Sequence, residues 1–484
     1  MTPATMRELS VRCDVHFGTS GVRGLVANMS DELCYAYTQA FLSALAADAR
    51  QVVVGHDLRP SSPRIAAACI QAIADAGRTA VFAGALPTPA VAHYCALHQI
   101  PGIIITGSHI PFDRNGIKFY RADGEIDKAD EQAILDAVIA LPAALSPAPW
   151  PPVDPGPLDG YIARYTNYFG PDALAGKRVA LYEHSSVARD VLRTILEQLG
   201  AQVQSLGRTD TFVPIDTEAV RQEDIAQARA WAGEHEFDAI LSTDGDADRP
   251  LIGDAGGTWM RGDVVGILCA QYLEADVVVT PVSSNTAAEQ CGAFAQVQRT
   301  RIGSPYVIAG MQAAQLALPG SVVVGYEANG GFLLGSDVTR AGVVLSALPT
   351  RDAVLPMLAL LTLSTQKACP LAQLSEALPP RFTASDRIEQ VPTELSARMI
   401  GTLGEDALQA AQLMAPASGQ VRSQDSTDGL RLTFESGDVV HLRPSGNAPE
   451  LRCYAEADTQ ERAQQLCIDC LQRVAATVRA LGAA

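Results

Sequence analysis

Three stretches of the chain repeat one pattern of hydrophobic and polar positions. Each begins with an apolar run of strand length, passes through a polar loop into a segment with helical periodicity, and returns to a second apolar run. The stretches span residues 51–109, 178–249 and 276–332. Because β-branched runs alternate with helical segments, the pattern predicts three related α/β/α domains with mainly parallel sheets that are covered on both faces.

The second apolar run of each stretch ends in an unusually polar loop. These loops contain "TGSH" at 106–109, "TDGDADR" at 243–249 and "YEANGG" at 326–331. In parallel sheets, ligands bind beyond the carboxyl ends of the strands. We therefore expect all three loops to lie at one crevice.

Two changes in the pattern predict domain boundaries. The proline-dense stretch at 141–161 can neither continue a helix nor donate fully to a ladder, so it is interpreted as an extended linker. From about residue 380, alternating strands precede a final helix over 459–480, which favours a smaller α+β domain with an antiparallel sheet. The predicted domains are 1–150, 151–257, 258–375 and 376–484.

The composition of the chain indicates which classes of partner it can bind and in which compartment we expect it. The 484 residues carry a formal net charge of -18, with a pI near 4.8. An acidic surface repels nucleic-acid phosphates, so no nucleic-acid partner is expected, and an anionic substrate requires a locally basic pocket. The first residues lack the apolar core of a signal peptide, and the longest later runs are about half of a membrane span. With its 10 cysteines scattered singly, the chain is expected to be cytoplasmic, without a membrane partner.

The loop after the first repeat, "IIITGSHIPFDRNGIKFY" at 103–120, contains a candidate nucleophile. The Ser108 hydroxyl ends an apolar strand, where it can accept a phosphoryl or acyl group. His109 and Lys118 can supply positive charge and proton transfer, because the turn at 115–116 folds Lys118 back towards the serine. A lone serine more often caps a helix or a turn, and acyl transfer is disfavoured because the GxSxG elbow is absent.

The acidic loop "STDGDADR" is the strongest chemical signal in the sequence. Asp244, Asp246 and Asp248 alternate in an extended loop, so their carboxylates point the same way and repel each other unless a hard cation joins them. Mg²⁺ is the usual ion where a phosphate supplies further oxygens. An EF-hand is excluded, because its sixth position is Arg249 instead of glycine and its twelfth is Ala255 instead of glutamate. Next to the ion, Arg249 can contact a substrate phosphate or hydroxyl.

Other loops carry groups suited to a sugar phosphate. Glu327 and Asn329 can hydrogen-bond vicinal hydroxyls, and an ordinary polar turn fits the sequence equally well. Arg23 in "FGTSGVRG" is a further candidate cation, with a surface loop as the alternative. The loop "RPSGNAPELR" in the last domain can hold a phosphate dianion through Arg443, Ser445, Gly446 and Asn447.

A hydroxyl, a cation site, a sugar-type loop and a phosphate loop together fit phosphoryl transfer, which depends on positioning and charge neutralisation. Through "FGTSGVRG", "TGSHIPFDRNGIK", "DGDADR", "GYEANGG" and "RPSGNAPELR", nearly the whole chain resembles the α-D-phosphohexomutase family. The resemblance implies a fourth domain shaped like the TATA-binding protein and a central cleft. It also implies an isomerase, a phosphomannomutase or phosphoglucomutase, that moves a phosphoryl group between C1 and C6 of a hexose phosphate.

The resemblance also assigns roles to residues. Ser108 is similar to the serine that is phosphorylated in the active enzyme and that completes a Mg²⁺ site with Asp244, Asp246 and Asp248. Lys118 resembles the family's acid/base lysine, and a hexose 1,6-bisphosphate is the implied intermediate and activator. The remaining matches are the active-site arginines Arg23 and Arg249, the sugar-hydroxyl acceptor Glu327, and the phosphate clamp of Arg443, Ser445, Gly446 and Asn447.

Three positions depart from the family pattern. Ile110 replaces an asparagine, Gly331 replaces a histidine of the sugar loop, and Asn447 replaces a threonine. Because glycine has no imidazole, proton transfer is expected to fall on Lys118 or His109. Mannose and glucose phosphates differ only at C2, where no motif discriminates. The alternatives are a phosphoglucosamine mutase, a sugar-phosphate phosphatase or bisphosphate synthase, and a non-catalytic sugar-phosphate sensor, which would need neither the nucleophile nor the acidic triplet.

Overall fold

The computed structural model of the protein describes residues 4–18, 21–142, 144–145, 148–445 and 450–482. The first domain is built on a mixed sheet. Its strands are β1 (Ala4–Thr5), β2 (His16–Phe17), β3 (Val22–Leu25), β4 (Gln51–His56), β5 (Thr79–Ala85), β6 (Gly102–Ile105), β7 (Arg114–Arg121), β8 (Gly124–Glu125) and β9 (Val138–Ile139). Its helices are α1 (Met6–Cys13), α2 (Asp31–Leu45), α3 (Ser62–Asp75), α4 (Thr88–His98) and α5 (Lys128–Asp136). The main sheet has the order β2-β3-β7-β6-β4-β5, with β8 beside β7, and β1 pairs with β9.

The second domain repeats the arrangement on a smaller scale, with a four-stranded sheet in the order β11-β10-β12-β13. Its strands are β10 (Arg178–Tyr182), β11 (Gln202–Leu206), β12 (Ala239–Thr243) and β13 (Pro250–Asp254). Its helices are α6 (Gly156–Phe169), α7 (Arg189–Gln198) and α8 (Gln222–Glu234).

The third domain has a five-stranded sheet in the order β15-β14-β16-β17-β20 and a separate β18-β19 hairpin. Its strands are β14 (Val277–Pro281), β15 (Gln296–Thr300), β16 (Val323–Tyr326), β17 (Phe332–Leu334), β18 (Val338–Arg340), β19 (Val343–Leu345) and β20 (Leu348–Asp352). Its helices are α9 (Gly262–Tyr272), α10 (Ala287–Gln290), α11 (Ser304–Ala317), α12 (Val354–Gln366) and α13 (Leu371–Glu376).

The fourth domain is an α+β unit with an antiparallel sheet in the order β21-β25-β24-β23-β22. Its strands are β21 (Phe382–Glu389), β22 (Val421–Asp425), β23 (Leu430–Phe434), β24 (Val439–Pro444) and β25 (Glu450–Ala457). Its helices are α14 (Thr393–Glu405), α15 (Ala407–Met414) and α16 (Gln460–Gly482), with a short 3₁₀ turn at Pro416–Ser418. The predicted fold class, three α/β domains followed by an α+β domain, is confirmed.

Each α/β sheet is mixed, whereas the sequence pattern predicted mainly parallel sheets. Three strands run parallel in each domain, β5-β4-β6, β11-β10-β12 and β15-β14-β16, and the next strand returns antiparallel. The return loops span 106–113, 244–249 and 327–331. They are too short for a parallel crossover, which takes a dozen or more residues, so the chain can only form a hairpin. The three polar loops are therefore the same hairpin in three related domains.

The predicted extended linker at 141–161 is wrong in its second half, because α6 begins at Gly156. Pro157 lies in the first turn of this helix, where backbone N–H groups have no intrahelical acceptor, so proline costs no hydrogen bond there. The final helix, expected over 459–480, spans Gln460–Gly482. The domain boundaries drawn from the sequence remain predictions.

The three α/β domains are joined by a shared hydrophobic cluster, beside which the first domain has a second cluster of its own. Buried side chains from all three belong to a single cluster, among them Val91, Leu192, Leu268 and Leu358. Helix α12 is buried from Val354 to Ser364 within this cluster, which explains its continuous apolar sequence. No helix in the described part of the chain is long and apolar enough to cross a bilayer.

The fourth domain has a core of its own, and it meets the third domain through polar contacts that include an ion pair at the junction. Arg381 donates to Glu456 at 2.6 Å, Glu456 also accepts from the Thr286 backbone N–H at 3.2 Å, and the Asn285 amide donates to the Arg381 carbonyl at 2.6 Å. A polar junction between separate cores allows one domain to move relative to the rest.

We expect Leu358→Ala to lower the free energy of unfolding by about 2–5 kcal/mol, because the substitution leaves a cavity in a fully buried site. Leu316→Ala is the matched control, since that side chain is 83% exposed, and its effect should stay within about 0.5 kcal/mol. Urea unfolding followed by circular dichroism measures both. Equal midpoints for the two variants would contradict a core shared at α12.

Candidate active site

The Ser108 hydroxyl faces the acidic loop of the second domain. Its Oγ donates to Asp244 Oδ2 at 2.5 Å, although the two residues are 136 positions apart. Ser108 has a φ of 52°, in the left-handed region, and its N–H donates to the Thr106 hydroxyl at 2.8 Å. Gly245 allows this approach, because a Cβ there would lie 2.9 Å from the Ser108 carbonyl oxygen. The predicted meeting of the first and second repeats is present.

A buried arginine, which the sequence analysis did not select, holds the serine loop in place. The Arg59 guanidinium donates to four carbonyl oxygens of the loop, those of Ser108, Ile110, Pro111 and Arg114, at 2.5–3.0 Å. Asp57 pairs with Arg59 at 3.3 Å, and the Phe212 ring of the second domain stacks over the guanidinium at 4.1 Å. Ile110 therefore helps to hold the serine loop through its backbone carbonyl, a group that does not depend on the side chain at this position.

The three predicted metal ligands converge. One oxygen of each of Asp244, Asp246 and Asp248 lies within 4.8 Å of the others, and all three residues are buried. Asp246 Oδ1 and Asp248 Oδ1 are buried and accept no hydrogen bond within the described residues. Buried carboxylate oxygens without donors fit a hard cation, which supplies the missing positive charge. The cluster is thus suited to bind a metal ion.

Basic and hydroxyl groups compensate the remaining carboxylate oxygens. Lys118 Nζ donates to Asp246 Oδ2 and Asp248 Oδ2, both at 2.8 Å, and the Thr88 hydroxyl donates to Asp246 Oδ2 at 2.6 Å. Burial alone would lower the pKa of Lys118, but the two carboxylates outweigh it and raise that pKa. The turn predicted at 115–116 is instead part of strand β7, from which Lys118 neutralises charge on Asp246 and Asp248. Its acid/base role remains a prediction.

The carboxyl groups of the triplet differ in their pKa. Burial, followed by repulsion from Asp246 and Asp248, raises the pKa of Asp244 well above its usual range. Burial would also raise the pKa of Asp248, but the charges of Arg351 and Lys118 outweigh it and hold that pKa low. The positively charged side chains around the triplet therefore lie mostly on the Asp248 side.

A cavity of about 180 Å³ opens beside the triplet and is lined by side chains from all four domains. It is rich in guanidinium groups, which come from Arg23, Arg249, Arg351, Arg387, Arg443 and Arg452. Burial, followed by the neighbouring charges of Arg249 and Arg351, lowers the pKa of Arg23 to about 10. These six guanidinium groups outnumber the carboxylates of the lining, which are Asp216, Glu218, Glu327 and Asp386. The acidic chain therefore contains the locally basic pocket that an anionic substrate requires.

His109 lies in this cavity as an acceptor. Its Nδ1 lies 3.0 Å from Arg249 Nη1 and 3.4 Å from Ser108 Oγ. Burial, followed by the charge of Arg249, lowers the pKa of His109 to about 3, so the imidazole is neutral at pH 7. A role for His109 in proton transfer remains a prediction.

The loops that the sequence predicted to bind a sugar and a phosphate both line the cavity. Glu327 and Asn329 line it from the third domain, and Arg443 and Ser445 line it from the fourth. Asn329 also closes its own loop, because its Oδ1 accepts from the Gly331 N–H at 2.9 Å. The remaining two residues of the predicted clamp, Gly446 and Asn447, lie outside the described residues.

Several site residues escaped the sequence analysis. Arg59 follows β4 in "GHDLRPSS", a polar loop at the carboxyl end of a strand, so the rule that selected the other loops also applies to it. Arg351 lies within the buried strand β20 in "LPTRD", where a charged side chain signals a buried partner. Thr88 gave no signal, because a threonine at a helix start reads as an ordinary cap.

This fold and this site are built for phosphoryl transfer, and comparisons with known proteins identify the family. Models of the four phosphoglucomutase/phosphomannomutase domains match the chain: α/β/α domain I at 14–142, domain II at 159–257, domain III at 261–382 and the C-terminal domain at 400–471. The chain belongs to the phosphoglucomutase/phosphomannomutase family. It is a phosphohexomutase, an isomerase that transfers a phosphoryl group on a hexose phosphate.

Relatives and solved structures agree with this assignment. The chain is 46% identical to a phosphomannomutase of Salmonella muenchen over 453 residues, 93% of each chain, and 46% identical to one of Sinorhizobium fredii over 463 residues, covering 93% and 96%. A phosphoglucosamine mutase of Frankia alni is more distant, at 30% identity over 96% and 98%. The fold matches a Burkholderia thailandensis phosphoglucomutase/phosphomannomutase family protein with a TM-score of 0.73 at 18% identity, covering 95% and 97%. It also matches Aspergillus fumigatus N-acetylphosphoglucosamine mutase in complex with glucose 1,6-bisphosphate, with a TM-score of 0.62 at 14% identity, covering 97% and 98%.

We expect Asp246→Asn to weaken divalent-cation binding at least about 10-fold, because it removes one of three negative ligands. Isothermal titration with Mg²⁺ in the absence of substrate measures the change directly. Asp210→Asn is the control, since that carboxylate is 95% exposed and pairs with Arg189. Unchanged Mg²⁺ affinity in Asp246→Asn would exclude the triplet as the cation site.

Proposed function

We propose that this protein is a Mg²⁺-dependent phosphomannomutase that works through a phosphorylated Ser108. The observation that carries the proposal is the contact between the Ser108 hydroxyl and the acidic triplet across two domains. The relatives at 46% identity, both named phosphomannomutase, favour mannose phosphates over glucose and glucosamine phosphates.

The proposed reaction consists of two phosphoryl transfers. The phosphoryl group on Ser108 moves to the free hydroxyl of a hexose phosphate, and the P–O bond to serine breaks. The proton of that hydroxyl ends on the Ser108 oxygen, and the sugar becomes a hexose 1,6-bisphosphate. The bisphosphate turns over in the cavity, and its other phosphoryl group returns to Ser108. Because each transfer needs only positioning and charge neutralisation, no external oxidant or energy source is required.

The residues of the cavity divide this work. Asp244, Asp246 and Asp248, with an oxygen on Ser108, would hold Mg²⁺, which neutralises charge on the transferring phosphoryl group. Arg249 and Arg23, which line the cavity, would bind that group. Glu327 would accept hydrogen bonds from sugar hydroxyls.

The phosphate that does not react would bind to the fourth domain, where Arg443 and Ser445 line the cavity. Gly446 and Asn447 complete this clamp as predictions from the sequence. The polar junction at Arg381 supports motion of that domain, which would let the clamp accept either end of the sugar. A cytoplasmic location also remains a prediction.

A coupled assay with mannose 1-phosphate, glucose 1-phosphate and glucosamine 1-phosphate tests the proposal. We expect the highest kcat/KM for mannose 1-phosphate, and we expect Ser108→Ala to lower turnover roughly 10³-fold or more, because the acceptor oxygen is lost. Ser396→Ala is the control, a buried serine in the fourth domain that should leave turnover unchanged. Release of inorganic phosphate without isomerisation would identify a phosphatase instead, and substantial turnover by Ser108→Ala would exclude the phosphoserine route.

A further inference from the structure

One arginine joins the acidic loop of the second domain to the sugar loop of the third. Arg351 lies on β20 and is 2% exposed. Its Nη2 and Nε donate to Asp248 Oδ2 at 2.8 and 3.2 Å, and its Nη1 donates to Glu327 Oε2 at 3.2 Å. A single planar guanidinium therefore fixes two carboxylates from different domains. One belongs to the predicted cation site and the other to the predicted sugar site.

The guanidinium occupies one oxygen of each carboxylate. Asp248 Oδ2 also receives Lys118, while Asp248 Oδ1 is buried and accepts no hydrogen bond among the described residues. Glu327 lines the cavity. Since a carboxylate is planar, fixing one of its oxygens also fixes the direction of the other. Arg351 thus sets the rotation of both side chains.

The space for Arg351 is provided by Gly331. A Cβ at position 331 would lie 2.6 Å from Arg351 Cδ and 2.8 Å from Arg351 Cγ, closer than van der Waals contact allows. Gly331 does not have a positive φ, so the backbone conformation is open to other residues. The arginine stem is the nearest obstacle to a Cβ, and Asn329 Oδ1 follows at 3.1 Å. The glycine and the arginine are complementary in shape.

We propose that Arg351 is a positioning residue that couples the cation site to the sugar site, with Gly331 as the residue that makes room for it. Arg351 turns Asp248 Oδ1 towards the cation and Glu327 towards the sugar hydroxyls. The sugar half of this proposal rests on the proposed function, whereas the cation half rests on the acidic triplet alone. Lysine cannot replace Arg351, because one ammonium group lacks the rigid fork of a guanidinium, which reaches both carboxylates in fixed directions.

Two variants test the role in different ways. Arg351→Lys keeps the charge and removes the fork, and Gly331→Ala keeps the arginine and displaces its stem. We expect Arg351→Lys to weaken both Mg²⁺ affinity and mannose 1-phosphate affinity by about 10- to 100-fold, the usual range for a residue that orients metal ligands. Gly331→Ala should shift both affinities in the same direction by a smaller factor. Arg340→Lys is the matched control in the same domain, where the guanidinium stacks on Tyr272, and should shift neither.

Both affinities are measured by isothermal titration, Mg²⁺ first without sugar and mannose 1-phosphate second at saturating Mg²⁺. Thermal unfolding of each variant separates a change in binding from a change in folding. A parallel loss of both affinities with intact folding supports the coupling. Lower thermal stability with unchanged affinities, or loss of one affinity alone in both variants, would overturn it.

The test of this inference can be distinguished from the test of the proposed function. If the wild-type protein fails to interconvert hexose phosphates, the proposed function falls, yet the Mg²⁺ titrations still decide whether Arg351 orients Asp248. Adding Glu327→Gln to Arg351→Lys refines the sugar half: the loss in mannose 1-phosphate affinity should be less than the product of the two single losses, because both act through one contact. Strictly multiplicative losses would show that Arg351 does not act through Glu327.

Discussion

Three buried carboxylates in one loop impose the main constraint on this protein. Unpaired, such a cluster would be strongly destabilising, because burial and mutual repulsion both oppose ionisation. Lys118 from the first domain and Arg351 from the third pair with the Oδ2 atoms of the cluster, and Arg249 from the second lies 3.5 Å from Asp248 Oδ1. Asp246 Oδ1 and Asp248 Oδ1 accept no hydrogen bond among the described residues, which leaves them open to a cation. The acidic loop can be stable only where three domains meet, so the electrostatics of one loop requires the domain arrangement.

The shared hydrophobic cluster provides the arrangement of domains that the acidic loop requires. A continuous apolar cluster holds the three α/β domains together, and the serine, the acidic loop and the sugar loop therefore have fixed relative positions. The fourth domain, with a separate core and a polar junction, brings further arginines to the cavity without sharing that rigidity. The serine loop, the acidic loop and the loop at 327–331 are thus joined by a shared apolar cluster, whereas the fourth domain is joined to them through polar contacts.

The sequence predicted the fold class and the convergence of Ser108 with the acidic triplet, because apolar runs that end in polar loops identify the carboxyl edge of a sheet. It did not predict the antiparallel returns, since a short apolar strand looks the same in either direction. The turn predicted at 115–116 is part of a strand, and the carboxylates that Lys118 contacts lie 128 and 130 residues away in the chain, where no local pattern could indicate them. Arg59 and Arg351 were missed for the same reason: the partners that define them come from distant segments.

The equivalence of the three hairpins suggests how this cavity arose. An ancestral unit that had been copied twice would offer three identical turns facing one another, each free to change while the other two preserved the framework. Of the three turns in this protein, one carries Ser108, another the acidic triplet and the third Glu327 and Asn329. Division of labour among duplicated parts removes the conflict that a single loop would face in serving all three purposes.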